Sequence, residues 1–306
     1  MKSAQSIRWL ATPQFDLALL VLTPVLIVPA AFLILQGGFT EPRQFAAWVF
    51  ALGAQGHHLP GWLRAYGDRT VFDTYRNRLL LAPPAIVGLC LLFAWFELHG
   101  LVLAAYAWGV WHGLMQTYGV ARLYGRFEGD NPRRARADLL LCQVGFIAAV
   151  FASELRRHYI LDLAARLGFE VPPAAWIEGL GSLAYASVFG VLVFWIWVQW
   201  ATRHDQPHHP ARLLVLGTSL AFWWLCNLSV SHMLIGVALF EIFHDVQYLS
   251  LVWWVGRKRH ADGAGGTAAA WLYSRGARSV AIYVGVCLLY GTLSAPGEAG
   301  LSLIHI

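Results

Sequence analysis

Three stretches of the chain gather residues able to do chemistry inside otherwise apolar sequence: Gln55-Gly56-His57-His58-Leu59-Pro60-Gly61, Trp111-His112-Gly113-Leu114-Met115-Gln116-Thr117-Tyr118 and Glu241-Ile242-Phe243-His244-Asp245-Val246-Gln247-Tyr248. In the third, Glu241 and His244 stand three residues apart, on one face of a helix, with Tyr248 a turn further on. Glu-x-x-His is the spacing by which one helix gives two ligands to a dinuclear metal centre, where carboxylates bridge and balance charge and imidazoles fill the remaining positions. His57, His58, His112, Glu241 and His244 are therefore the candidate metal ligands. Gln116, Asp245 and Gln247 are candidates for orienting imidazoles from behind, and Tyr118 and Tyr248 for hydrogen bonding to reacting groups. His57 and His58 are adjacent, so on a regular helix they point about 100° apart and share one ion only if the helix is locally distorted. The same residues also suit plainer roles, as packed, hydrogen-bonded imidazoles or an interhelical acid–base pair.

The elements that position these residues are membrane helices. Of 306 residues, 58% are hydrophobic and only 13% charged, about half the charge of an ordinary soluble domain. That excludes a soluble globule, a disordered chain and a coiled coil. The four cysteines (Cys90, Cys142, Cys226, Cys287) lie in apolar runs, with no metal-type or haem-attachment pairing. Apolar stretches of roughly 20 residues, enough to cross a hydrocarbon core, predict nine spans: Phe15–Gln36, Phe45–Leu63, Leu79–Leu98, Gly100–Ala121, Asp138–Leu155, Leu180–Ala201, Leu213–Val230, Met233–Val255 and Ser279–Ser294. Eighteen of the 22 Lys and Arg then fall in alternate connections beginning with the N-terminal one, which places the N-terminus in the cytoplasm. The net charge of +5 belongs to that topology and not to nucleic acid. The fold class expected is all-α, a polytopic bundle in a bacterial-type inner (plasma) membrane. The segment Arg156–Gly179 is expected to lie flat at the outer surface, with Ile160, Leu163, Ala164 and Leu167 opposite Arg157, Asp162 and Arg166. Gly256–Arg278 reads as a basic linker, and Arg64–Arg78 as an inner-leaflet loop suited to headgroup phosphates or to salt bridges of Asp68 and Asp73.

A second histidine cluster, His204-Asp205-Gln206-Pro207-His208-His209-Pro210, has the HxxxHH spacing of one box of the membrane fatty-acid desaturases and hydroxylases and resembles them there alone. Its two prolines break the helix such a box occupies, so a solvated loop is expected. His99, His158, His232 and His260 are expected to be ordinary loop or helix-end residues. The final residues Leu301–Ile306, LSLIHI, resemble one reading frame of the transposon end used to prepare sequencing libraries. The membrane domain is accordingly taken as residues 1–300, with the native C-terminus missing, and His305 enters no ligand set.

The whole pattern, with many spans and scattered intramembrane His, resembles the bacterial membrane dioxygenases that cleave β-carotene. The resemblance is architectural, since FHDVQY and WHxxxQxYG depart from that family's spelling. It implies iron held by His near the inner leaflet and a lipid or isoprenoid substrate entering sideways from the bilayer. The expected function is a membrane metal-dependent oxidoreductase with mono- or dinuclear non-haem iron and an electron-donating partner. A proton-coupled transporter using Glu241, His244, Asp245 and His112 as a relay is the first alternative. A haem b electron-transfer protein with His112 and His244 as axial ligands is the second.

Overall fold

The computed structural model describes residues 8–96, 98, 100–129, 131–205, 207–262, 272–274 and 276–302. Among them every regular element is helical. Helix α1 (Pro13–Val21) starts where Thr12 Oγ1 accepts the Phe15 N–H at 3.2 Å, with Pro13 in the first turn. Its last six residues, Asp16–Val21, widen into a π-helix, and the axis turns by 47° before α2 (Thr23–Gln36). The Thr23 hydroxyl donates to the Ala18 and Leu19 carbonyls at 3.1 and 3.0 Å, taking up acceptors at the bend. Helix α3 (Pro42–Val49) also runs into a π segment, Phe50–Ala54, before a turn and α4 (His58–Gly67).

Four of the later helices begin on side-chain caps. Asp68 accepts from the Thr70 and Val71 N–H groups at 3.0 and 3.3 Å to start α5 (Arg69–Trp95). Helix α6 (Gly100–Gly125) ends in a short 3₁₀ turn, closed by Gly129 at φ +85°, a conformation that costs glycine nothing. Asn131 with Pro132 starts α7 (Pro132–Ala152), and Ser153 starts α8 (Glu154–Arg166). Helix α9 (Ala174–Ala201) follows, then α10 (Pro210–Leu228), capped by His209, whose Nδ1 accepts the Ala211 N–H at 3.2 Å. Helices α11 (Met233–Ala261) and α12 (Ala277–Ser302) complete the chain.

Six of these, α5, α7, α9, α10, α11 and the Ala277–Ser294 part of α12, are long and apolar enough to cross a membrane, and the bent α1–α2 pair would make a seventh. They mark the chain as a membrane protein. Helix α5 buries none of its apolar window, and Leu81, Trp95 and, on α9, Phe189 stand well exposed, as suits surfaces solvated by hydrocarbon. The expected span Phe45–Leu63 is interrupted by its π segment and turn, and α6, with His112, Gln116 and Thr117 in mid-helix, falls short of the same apolar measure.

The chain divides into two compact units. The first comprises 1–26 and 98–236. Within it α10 packs on α6 and α7, and α7 on α9. Trp223 stacks on Phe146 at 5.0 Å and donates its indole N–H to the Phe146 carbonyl at 2.9 Å. Near the α7 and α10 N-termini four buried charges interlock. Arg212 reaches Glu128 at 2.8 Å and Asp138 at 2.7 Å, while Arg134 reaches Glu128 at 3.0 Å. The remaining donors and acceptors are used too: Arg212 Nη2 donates to Gln199 Oε1 at 2.7 Å, Arg134 Nε to Thr202 Oγ1 at 2.9 Å, and Trp195 Nε1 to Asp138 Oδ1 at 2.8 Å. Such a network holds because each charge has a partner.

The expectation of a solvated His204–Pro210 loop holds for His204, Asp205, Pro207 and Pro210, which are exposed, but this network corrects it for the other two histidines. His209 is buried, its backbone N–H donates to Glu128, and its Nε2 lies 2.6 Å from the Arg8 carbonyl. His208 is half-buried, 3.3 Å from Arg212 Nη2. Gln206, His99 and His305 lie outside the described residues, as do residues 263–271 and 275 of the Gly256–Arg278 linker, whose first residues, through Ala261, instead continue α11. The segment after Ser153 does form a helix, but Arg157 is half-buried and turned back on α7: its Nη1 donates to the Ala152 and Phe151 carbonyls that end that helix. His158 is exposed beside Glu154, His232 is exposed just before α11, and His260 is exposed in the last turn of that helix.

The second unit comprises 27–97 and 237–306, and in it α4 packs against α5 and α12, and α12 against the π segment. Two glycines permit that last approach. A Cβ on Gly291 would fall 2.2 Å from the Ala51 carbonyl oxygen, and one on Gly56 would fall 2.7 Å from that of Cys287. Buried Leu272, Tyr283 and Cys287 form its local core. Asp68 pairs with Arg259 at 2.6 Å, tying the start of α5 to the end of α11.

Candidate metal centre

Within the second unit two segments meet. The π segment Phe50–Ala54 widens the backbone just before the Gln55–His57 turn, and this supplies the local distortion that adjacent histidines require. His57 is buried, whereas His58 is exposed, with Nδ1 2.7 Å from the Ala54 carbonyl oxygen. The rings lie 4.3 Å apart with planes tilted by 34°, yet they have different surroundings.

Helix α11 faces His57 with Glu241, His244, Asp245 and Tyr248, which recur at the three- and four-residue intervals of one helical face. The ligand atoms of His57, Glu241, His244 and Asp245 all lie within 4.8 Å of one another. The His57 and His244 rings meet edge to face at 5.4 Å, and the His57 and Tyr248 rings at 5.3 Å. His57 Nδ1 lies 2.7 Å from Asp245 Oδ1, an arrangement that orients the imidazole and leaves Nε2 as its other donor atom. Among the described residues Asp245 Oδ2 has no hydrogen-bond donor, although the residue is buried. Gly53 makes room for it: a Cβ there would lie 2.2 Å from Oδ2. Gly61 does the same for Tyr248, since a Cβ would lie 2.6 Å from the phenol oxygen.

Two carboxylates and two imidazoles in one buried cluster need positive charge, from protons or from a cation, because uncompensated carboxylates in low dielectric are costly. Imidazole and carboxylate together are a donor set that suits divalent transition metals. An orphaned carboxylate oxygen beside two imidazoles fits such an ion.

The other sequence candidates are placed as follows. Gln247 is buried on α11, on the turn after His244. His112, Gln116 and Tyr118 belong to α6 in the first unit, with the His112 ring stacked near Trp108 at 6.4 Å. A Cβ on Gly53 or Gly56 would collide with neighbouring segments, so both mark close approaches, whereas one on Gly109 of α6 would meet nothing within 4 Å. The nearness of the Asp245 carboxylate to His57 depends on the π segment, which no apolar pattern reveals. No family model, curated protein or solved structure matches this chain.

Proposed function

We propose that the chain is an integral membrane, metal-dependent oxidoreductase that uses mono- or dinuclear non-haem iron on a lipid or isoprenoid, in a bacterial-type plasma membrane. The observation that carries this reading is the buried convergence of His57, Glu241, His244 and Asp245 within 4.8 Å. In this reading His57, His244 and Glu241 hold the metal, and Asp245 fixes the His57 ring through Nδ1. The metal, when bound, supplies one-electron and O₂ chemistry that the side chains lack. Tyr248 offers a hydroxyl beside the cluster for orienting a polar group, and the bare apolar faces of α5 and α9 suit a substrate arriving from the bilayer. An electron donor is the partner required.

A second reading draws on the 2.7 Å contact of His57 with Asp245 and on the nearby Glu241, which together would pass protons in a coupled carrier. The paired carboxylates favour a non-haem ion over haem b with His244 as an axial ligand. Metal analysis and a visible spectrum of the whole chain in mild detergent test these readings. Roughly one or two irons per chain are expected in the wild type. His57→Ala and His244→Ala should lose them, while His58→Ala, whose ring lies outside the cluster, should keep them. A Soret band, or metal retained by His244→Ala, would sink the non-haem reading. A metal-free wild type that carries protons into vesicles would establish the carrier.

A further inference from the structure

Arg156 is a buried charge of the first unit. It is 1% exposed, and among the described residues no carboxylate pairs with it. Its Nη2 donates to the Met233 carbonyl at 3.2 Å, while Nε and Nη1 have no acceptor. The backbone around it adds positive potential. Arg156 stands in the first turn of α8, behind the Ser153 cap, and Met233 opens α11. A cation at a helix N-terminus opposes the macrodipole, and here two N-termini meet one guanidinium. Gly236 keeps α11 clear of the group, since a Cβ there would lie 2.8 Å from Nη2. The rings of Tyr106 and Tyr159 meet at 5.8 Å within the field of the same charge.

A buried guanidinium without a counter-charge is costly, whereas one that binds an anion gains charge-assisted hydrogen bonds. A phosphate favours this place over a carboxylate because it brings more negative charge and more acceptor oxygens to a guanidinium flanked by helix N-termini, where backbone N–H groups also favour phosphate. We propose that Arg156, with the N-terminal turns of α8 and α11, forms a phosphate-binding site, filled by the phosphate of an anionic lipid headgroup or by free phosphate. The site lies wholly within the first unit and is independent of the metal centre.

The test uses the full chain, delipidated in mild detergent. Its thermal unfolding is followed against inorganic phosphate and, separately, against mixed micelles containing phosphatidylglycerol, with native mass spectrometry to count bound lipid. The wild type should be stabilised by at least one of the two. Stabilisation by phosphatidylglycerol alone identifies a headgroup site, and stabilisation by both identifies a site for any phosphate. Arg156→Met should weaken that response at least tenfold, Arg156→Lys should retain part of it, and Arg157→Met should leave it intact. If Arg156→Met fails to fold, the wild type and Arg156→Lys decide. A wild type that neither retains phosphorus nor responds to either probe overturns the proposal. So does an Arg156→Met protein that binds as the wild type does.

Discussion

Replacing Arg212 by Met should be among the most destabilising single changes in the first unit, and the structure says how the loss divides. Arg212 is 0% exposed and neutralises two buried carboxylates. Glu128 would keep Arg134 at 3.0 Å and the His209 N–H. Asp138 would keep only the Trp195 indole N–H at 2.8 Å. Removing one partner of a buried pair costs about 3–5 kcal/mol, chiefly because a charge is left unpaired. That corresponds to roughly 200- to 5,000-fold in the folding equilibrium, or a fall in Tm on the order of 6–20 °C at about 2–4 °C per kcal/mol. Because Asp138 is the carboxylate left nearly bare, Arg212→Met combined with Asp138→Leu should lose much less than the sum of the single changes. The expected coupling is on the order of 2 kcal/mol. Unfolding of the wild type, the two single variants and the double variant in one detergent measures this cycle. A loss below about 1 kcal/mol for Arg212→Met, or strict additivity in the cycle, would refute the argument that these charges depend on each other.

Acid should loosen the same network. Burial, and then the positive charges of Arg134 and Arg212, hold the His208 imidazole below its ordinary 6.5. Burial would raise Glu128, but the His209 N–H, Arg212 and Arg134 overcome it and hold that carboxyl below its ordinary 4.5. Both groups bind protons more readily in the unfolded chain, so stability should fall as pH drops, first below about 6.5 through His208 and then below about 4.5 through Glu128. The His208 contribution should be modest because the ring is half exposed. Melting curves of the wild type and of His208→Ala between pH 8 and pH 5 check the direction: the wild type should lose more on acidification than the variant, and an equal or smaller loss would contradict it. At the candidate metal centre, Gly53→Ala should displace Asp245, because its Cβ would lie 2.2 Å from Oδ2. Under the proposed function, metal content should then fall severalfold while the fold survives. Gly217→Ala, whose Cβ meets nothing within 4 Å, is the control and should leave metal content unchanged.

Much of this architecture is legible in the sequence, and the omissions have physical causes. The starts of α7, α8 and α10 rest on Asn131-Pro132, Ser153-Glu154 and His209-Pro210, local caps that a reading by apolar runs passes over, so the expected span Asp138–Leu155 crosses the break between α7 and α8. Glu241, His244 and Asp245 are readable as a set because helical spacing alone puts them on one face. That His57 approaches them and His58 does not is unreadable, since a π turn leaves the apolar pattern unbroken. The basic residues mislead in another way. Arg134, Arg156 and Arg212 count as loop charges in a topology argument, yet all three are buried. Their partners, Glu128, Asp138 and the Met233 carbonyl, are distant in sequence or belong to the backbone, so only tertiary packing reveals them.

The interleaving of the two units has a consequence for biogenesis. His57 belongs to the early piece of the second unit and Glu241, His244 and Asp245 to its late piece, with most of the first unit encoded between them. At the usual pace of translation, His57 therefore emerges roughly 10–40 s before its partners exist. Through that interval the nascent chain holds an apolar segment with an incomplete ligand set. Under the proposed function, ion capture waits until α11 has been made, and acquiring the ion would report that synthesis has passed the last of the proposed ligands.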